Sequence, residues 1–252
     1  MYFRAAWAEP DKGEPPMRDI SMIMPTRLAV LSAFVLCAGA VPARAAVIAA
    51  WTFENVTIPT TTGSTGPSVA PSTMIIGDTG NAFGVHANSA TNWGPATGNG
   101  SATGYSSDHW SVGDYFEFDF SPLNLANMAL SFDTVGSASA PGNFQVETTT
   151  NGSSWSDLAN GTYTVNVNSP PWTSGSVTAG DSYSFTLPNG TIGVRLVDDS
   201  TTSVGGGTAG NAGSIRVDNV VITGDLPEPA SIGMLSVGLL GVGWSRRRRA
   251  RV

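Results

Sequence analysis

Asp114–Phe120 reads DYFEFDF, and its alternation decides the fold. Phe116, Phe118 and Phe120 recur at every second position, with Tyr115, Glu117 and Asp119 between them. Successive side chains of a strand point to opposite faces, so one face buries three rings and the other carries charge. Working outward, β-like runs recur at Ala46–Phe53, Ala82–Ala87, Met128–Thr134, Asn143–Thr149, Thr162–Asn168, Ser182–Leu187, Thr191–Val197 and Ser214–Thr223. No long stretch has the 3.6-residue apolar spacing of a helix. Asn151-Gly152, Asn160-Gly161 and Asn189-Gly190 are turn pairs that tolerate positive φ. About nine short strands predict an all-β fold, a single antiparallel β-sandwich of jelly-roll-like form. Pro59–Ser72, Gly94–Ser107 and Val204–Gly213, rich in small polar residues, read as long surface loops.

Charge is segregated along the chain. Of 12 basic and 19 acidic residues, only Arg195 and Arg216 lie in 46–225, against fourteen carboxylates, a net −12 for that section. A surface of that sign repels phosphate backbones and argues against nucleic-acid binding, while leaving oxygen ligands for divalent cations. The single cysteine, Cys37, sits in an apolar N-terminal run, so 46–225 has no thiol for a disulfide, a thiolate metal site or a nucleophile.

The two ends carry addresses. Met24–Val41 has a basic residue, Arg27, then an apolar stretch, followed by Pro42 and the pattern Ala43-Arg44-Ala45. This predicts a secretory signal helix within 1–45, cleaved between Ala45 and Ala46. The residues before Met22 have no targeting logic, and Met17, Met22 and Met24 are alternative starts, so the first part of 1–45 is expected to be an extension from too early a start. At the other end, Ala230–Ser245 would span about 24 Å as a helix against about 30 Å of hydrocarbon. Arg246, Arg247, Arg248 and Arg249 follow it and would stay on the cytoplasmic side, their long side chains snorkelling to cover the shortfall.

Pro227-Glu228-Pro229, a short apolar helix and a terminal arginine cluster, in that order, resemble the PEP-CTERM sorting signal of Gram-negative bacteria that make exopolysaccharide. The resemblance covers 226–252 and implies a transmembrane sorting helix held transiently in the inner membrane. It further implies an exosortase that recognises Pro227, Glu228 and Pro229, removes the tail and passes the protein to the cell surface or extracellular matrix.

Within 46–225, the pairing of WTFEN at Trp51–Asn55 with IRVDNVVITG at Ile215–Gly224 resembles jelly-roll carbohydrate-binding and related extracellular modules. That resemblance implies adjacent terminal strands and makes Glu54 and Asp218 candidates for a structural calcium, since carboxylates suit a hard cation with six to eight oxygen ligands. Gly142–Trp172 is similar to secreted β-sandwich modules in which a strand leads through Asn-Gly-x-x-Trp to the next, and there Trp155 is expected to be core packing. Trp93, Trp110 and Trp172 fall in or beside the expected loops and are candidates for stacking on a pyranose face.

Catalytic patterns are missing. His86 and His109 are the two histidines, and Asp108-His109 side by side on a strand would point to opposite faces. No G-x-S-x-G or H-E-x-x-H occurs. Acid pairs such as Asp198-Asp199 or Glu117 with Asp119 would need about 5–9.5 Å separation for glycoside hydrolysis. The expectation is a non-enzymatic, exported structural or adhesive protein. Its alternative is a calcium-stabilised module that grips exopolysaccharide through Trp93 and Trp110.

Overall fold

A computed structural model of the chain describes residues 45–74, 79–120, 125–176 and 181–226. The segment Met24–Val41 with Cys37, the triplet Pro227-Glu228-Pro229, the run Ala230–Ser245 and the cluster Arg246–Arg249 lie outside the described residues. Described strands are β1 (Ala45–Trp51), β2 (Thr61–Thr62), β3 (Thr73–Met74), β4 (Asn81–Val85), β5 (Asn92–Ala96), β6 (Gly104–Ser107) and β7 (Tyr115–Asp119). They continue with β8 (Ala126–Gly136), β9 (Asn143–Thr149), β10 (Ser156–Thr164), β11 (Asn166–Val167), β12 (Ser182–Thr186), β13 (Gly193–Asp198) and β14 (Ile215–Asp225). No helix long and apolar enough to cross a membrane occurs among the described residues.

Two sheets stack as a sandwich. The smaller runs β10-β9-β13-β7-β4, antiparallel throughout. In the larger, β14 pairs with β8 along one edge, and with β6 and then β1 along the other. Ile215–Val217 face β6, and Val220–Asp225 face β1. The change of partner falls at Asp218-Asn219, where Asn219 has φ 49°. Asparagine tolerates that left-handed backbone better than most residues, so the Asp-Asn pair sits where the last strand must break its ladder. The terminal strands are adjacent, with Trp51 opposite Val220 and Ala45 opposite Asp225.

The phase of DYFEFDF is the phase of the core. Phe116, Phe118 and Phe120 are buried, and Phe118 meets Trp51 of the opposite sheet edge-on at 5.3 Å. Phe144 and Val146 of β9 and Val194 and Leu196 of β13 extend the same layer. Phe53, Trp93, Tyr105, Leu130, Phe132, Val217 and Ile222 supply the facing one. Interdigitated rings of this size are each worth roughly 2–3 kcal/mol of burial.

Three expectations need correction. Pro59–Ser72 and Gly94–Ser107 are not simply loops: the first contains β2, and the β5–β6 hairpin runs through the second. Each hairpin strand carries one large ring, Trp93 or Tyr105, among Gly, Ser and Pro, so composition hides the strand while the opposite sheet supplies the burial. Thr162–Asn168 is not one strand either. The chain leaves the small sheet at Thr164, buries Val165, and joins the large sheet as β11, parallel to β8. Finally, Trp93 and Trp110 are interior residues rather than rim aromatics, exposed by only 1% and 6%.

Candidate functional site

The terminal-strand carboxylates act together, as hydrogen-bond acceptors. Positive φ at Phe53 (53°) and Asn55 (60°) turns the chain after β1, and Glu54 Oε1 accepts from the Thr103 amide at 2.9 Å. Asp218 is fully buried. Its Oδ2 accepts from the Asn99 amide (2.8 Å) and the Ser101 hydroxyl (2.6 Å), and its Oδ1 from the Asn219 amide (2.7 Å). Asn219 Nδ2 then donates to Asp133 Oδ2 at 2.8 Å and to the Asn99 carbonyl at 3.1 Å, while Ser182 donates to Asp133 Oδ1. Both carboxylates therefore pin the turn from Asn99 to Thr103 onto the large sheet. Burial, reinforced by the neighbouring Asp133 charge and opposed by these donors, pushes Asp218 up to about 6.

This arrangement does not fit a calcium cage. A hard cation needs oxygens free to turn toward it, whereas N–H and O–H donors meet both Asp218 oxygens. Among the described residues, no three His, Cys, Asp or Glu side chains gather where a metal ion could be held.

Trp93 and Trp110 enclose His86, at ring distances of 4.5 and 4.2 Å. Trp93 also stacks on Tyr105 and meets Phe116, and its Nε1 donates to the Gly63 carbonyl at 2.7 Å. With those rings against it, Trp93 has no open face for a sugar; Trp110, packed on His86, Phe116 and Phe144, has none either. Burial lowers His86 to about 4 and holds it neutral, so its 3.6 Å approach to Asp114 is not an ion pair. Trp172 is buried as well, donating from Nε1 to Asp181 at 2.8 Å.

Asp108 and His109 do meet, contrary to the alternation argument. His109 has φ 54°, which takes it out of extended geometry and brings Nδ1 to 2.6 Å from Asp108 Oδ1. Asp108 is also held by the amide and side chain of Asn92. These donors and the imidazole hold its carboxyl below the ordinary value against the opposing effect of burial. Asp108 therefore fixes the orientation of the His109 imidazole through Nδ1. Asp198 is buried and bonded to the Ser200 amide while Asp199 is exposed, so that pair does not converge.

The cluster that sequence reasoning missed lies on the outer face of the small sheet. Register places Phe83, Glu117, Arg195, Glu147 and Asp157 in one row across its five strands. Arg195 donates from Nε to Glu117 Oε2 at 2.7 Å, and its guanidinium carbon stands 3.9 Å from the ring centres of both Tyr115 and Trp155. Tyr115 lies toward Val197 and Trp155 toward Gly193, so the planar cation is held between two rings. Trp155 is thus a half-buried outer-face residue, not core packing. A Cβ at Gly193 would lie 3.0 Å from Trp155 Cη2, Asp119 Oδ1 and Thr149 Cγ2, so glycine is what lets the indole settle on the sheet.

Glu117 and Asp119 stand two apart on β7, and burial raises both carboxyls, with Arg195 opposing. Burial also raises Glu147, with Arg195 opposing. The signals were present in the sequence: the polar phase of DYFEFDF, and a lone arginine at a polar position of IGVRLVDD.

Residues 225–249 match the PEP-CTERM protein-sorting motif. The chain therefore carries a signal for exosortase-dependent export to the cell envelope or surface, beginning at the last residue of β14. No curated protein matches the chain. Solved structures similar to it include the K3 cleaved adhesin domain of Lys-gingipain from Porphyromonas gingivalis. Its TM-score is 0.39 at 16% identity, over 71% of this chain and 99% of that one. The K1 adhesin domain of the same protein gives 0.38 at 14%, over 71% and 97%. A variant family 29 carbohydrate-binding module complexed with mannohexaose gives 0.32 at 9%, over 73% and 93%.

Proposed function

We propose that this protein is a non-enzymatic structural or adhesive component of the surface or extracellular matrix of a Gram-negative bacterium. The secretion machinery exports it by the signal within 1–45. The apolar run Ala230–Ser245, stopped by Arg246–Arg249, anchors it transiently in the inner membrane. An exosortase then acts at Pro227-Glu228-Pro229 and releases the sandwich outward. The observation that carries this reading is the sorting motif at 225–249, starting where β14 ends. The pairing of Ala45 with Asp225 supports it, because both processing points flank one end of one strand pair.

Fractionation of producing cells tests it. The wild-type chain is expected at the surface or in the matrix. A variant carrying Pro227→Ala, Glu228→Ala and Pro229→Ala is expected to accumulate in the membrane fraction. Surface display of that variant at the wild-type level would overturn the role given to the triplet.

A second reading, a carbohydrate-binding module for exopolysaccharide, is favoured by one observation, the half-buried aromatic pair and guanidinium on the outer face of the small sheet. In this reading the module works without calcium and without Trp93 or Trp110.

A further inference from the structure

We propose that the outer face of the small sheet is a binding platform for neutral glycan chains, built from Tyr115, Trp155 and Arg195 and bordered by Glu117, Asp119 and Glu147. Three features of the face select that ligand. First, half-buried aromatic rings on the sheet's outer face offer area to the C–H faces of pyranoses, which no purely polar surface does. Second, the polar groups beside the rings match hydroxyls. The carboxylates accept from them, and the Arg195 N–H groups not used on Glu117 donate to them. The guanidinium is already fixed by two rings and a carboxylate, so little side-chain freedom is lost on binding. Third, the charge excludes other polymers. Glu117, Asp119, Glu147 and Asp157 surround one arginine, so uronate-rich or sulfated chains are repelled. A basic peptide is opposed too, since Arg195 already occupies the cation position between the rings. Gly193 is a positioning residue, because its bare Cα sets the height of Trp155.

Export would bring such glycans into reach, so the biological partner rests on the reading above. Binding by purified protein does not depend on export, and each test stands or fails alone. The experiment is titration of the purified full chain with neutral hexasaccharides of glucose, mannose, xylose and galactose, with alginate and heparin, and with a lysine-rich peptide, read by calorimetry and tryptophan fluorescence. At least one neutral oligosaccharide is expected to bind saturably at millimolar or lower concentration, with neither acidic polymer binding. Trp155→Ala and Gly193→Val should each weaken it at least tenfold, Arg195→Lys should weaken it less than Trp155→Ala, and Val112→Ala, at an exposed turn, should leave it unchanged. Circular dichroism of each variant confirms the fold. Three results would each overturn the proposal: no neutral hexasaccharide binding, binding indifferent to Trp155→Ala and Gly193→Val in folded protein, or selective binding of the lysine-rich peptide.

Discussion

Asp218→Ala is expected to lower the melting midpoint by roughly 6–12 °C, the shift that about 3 kcal/mol produces in a folded unit of this size. The substitution removes the acceptor of the Asn99 and Asn219 amides and of the Ser101 hydroxyl, which keeps only the longer 3.2 Å bond to the Thr103 carbonyl. Each buried unsatisfied donor costs about 1–3 kcal/mol, and relief of a buried charge beside Asp133 offsets part of the sum. Asp218→Asn keeps one acceptor and should cost less. Its deficit also depends on pH. The folded carboxyl releases its proton at about 6, and the unfolded one at about 3.9. Native protein thus holds the extra proton between those values, and wild-type stability falls as pH rises through that window. The Asp218→Asn deficit is therefore largest near the lower limit and narrows toward the upper one. Chelator and added calcium should leave the wild-type midpoint unchanged; a calcium-dependent rise would mean that the Glu54 and Asp218 carboxylates bind the cation after all.

Trp93→Ala should cost about 3–5 kcal/mol, the usual range for deleting a large buried ring. The cavity has few means of closing. Gly66 and Gly84 present bare Cα atoms to the indole so closely that a methyl on either would collide with it, and both are fixed in the backbone around the ring. The ring also loses its contacts to Tyr105, Phe116 and His86, and the Gly63 carbonyl loses its donor. Denaturant unfolding measures the loss. A cost below about 1 kcal/mol would place the ring at the rim, where its sequence neighbours suggested it belonged.

What was legible and what was not divides along physical lines. DYFEFDF announces its face because three rings and two acids alternate without interruption. WTFEN and the strand containing Asp218-Asn219 are legible as neighbours, and β1 pairs with β14. Their chemistry was not legible, because a carboxylate that accepts backbone hydrogen bonds and one that binds a cation look alike until the donors of Asn99–Thr103 are placed. The β5–β6 hairpin escaped detection because one ring per strand gives no period to count. Arg195 escaped because its partners come from two distant parts of the chain, Tyr115 and Glu117 on β7 and Trp155 just before β10. His109 defeated the alternation rule through a single left-handed backbone angle.

Export and sorting through the two chain ends is the claim on which the function rests, and the intact mass of the protein recovered from the surface or matrix of producing cells tests it most directly. The mass should correspond to a chain that begins at Ala46 and has lost Arg246–Arg249 together with the apolar run before them. A surface-fraction protein that retains the arginine cluster would contradict it.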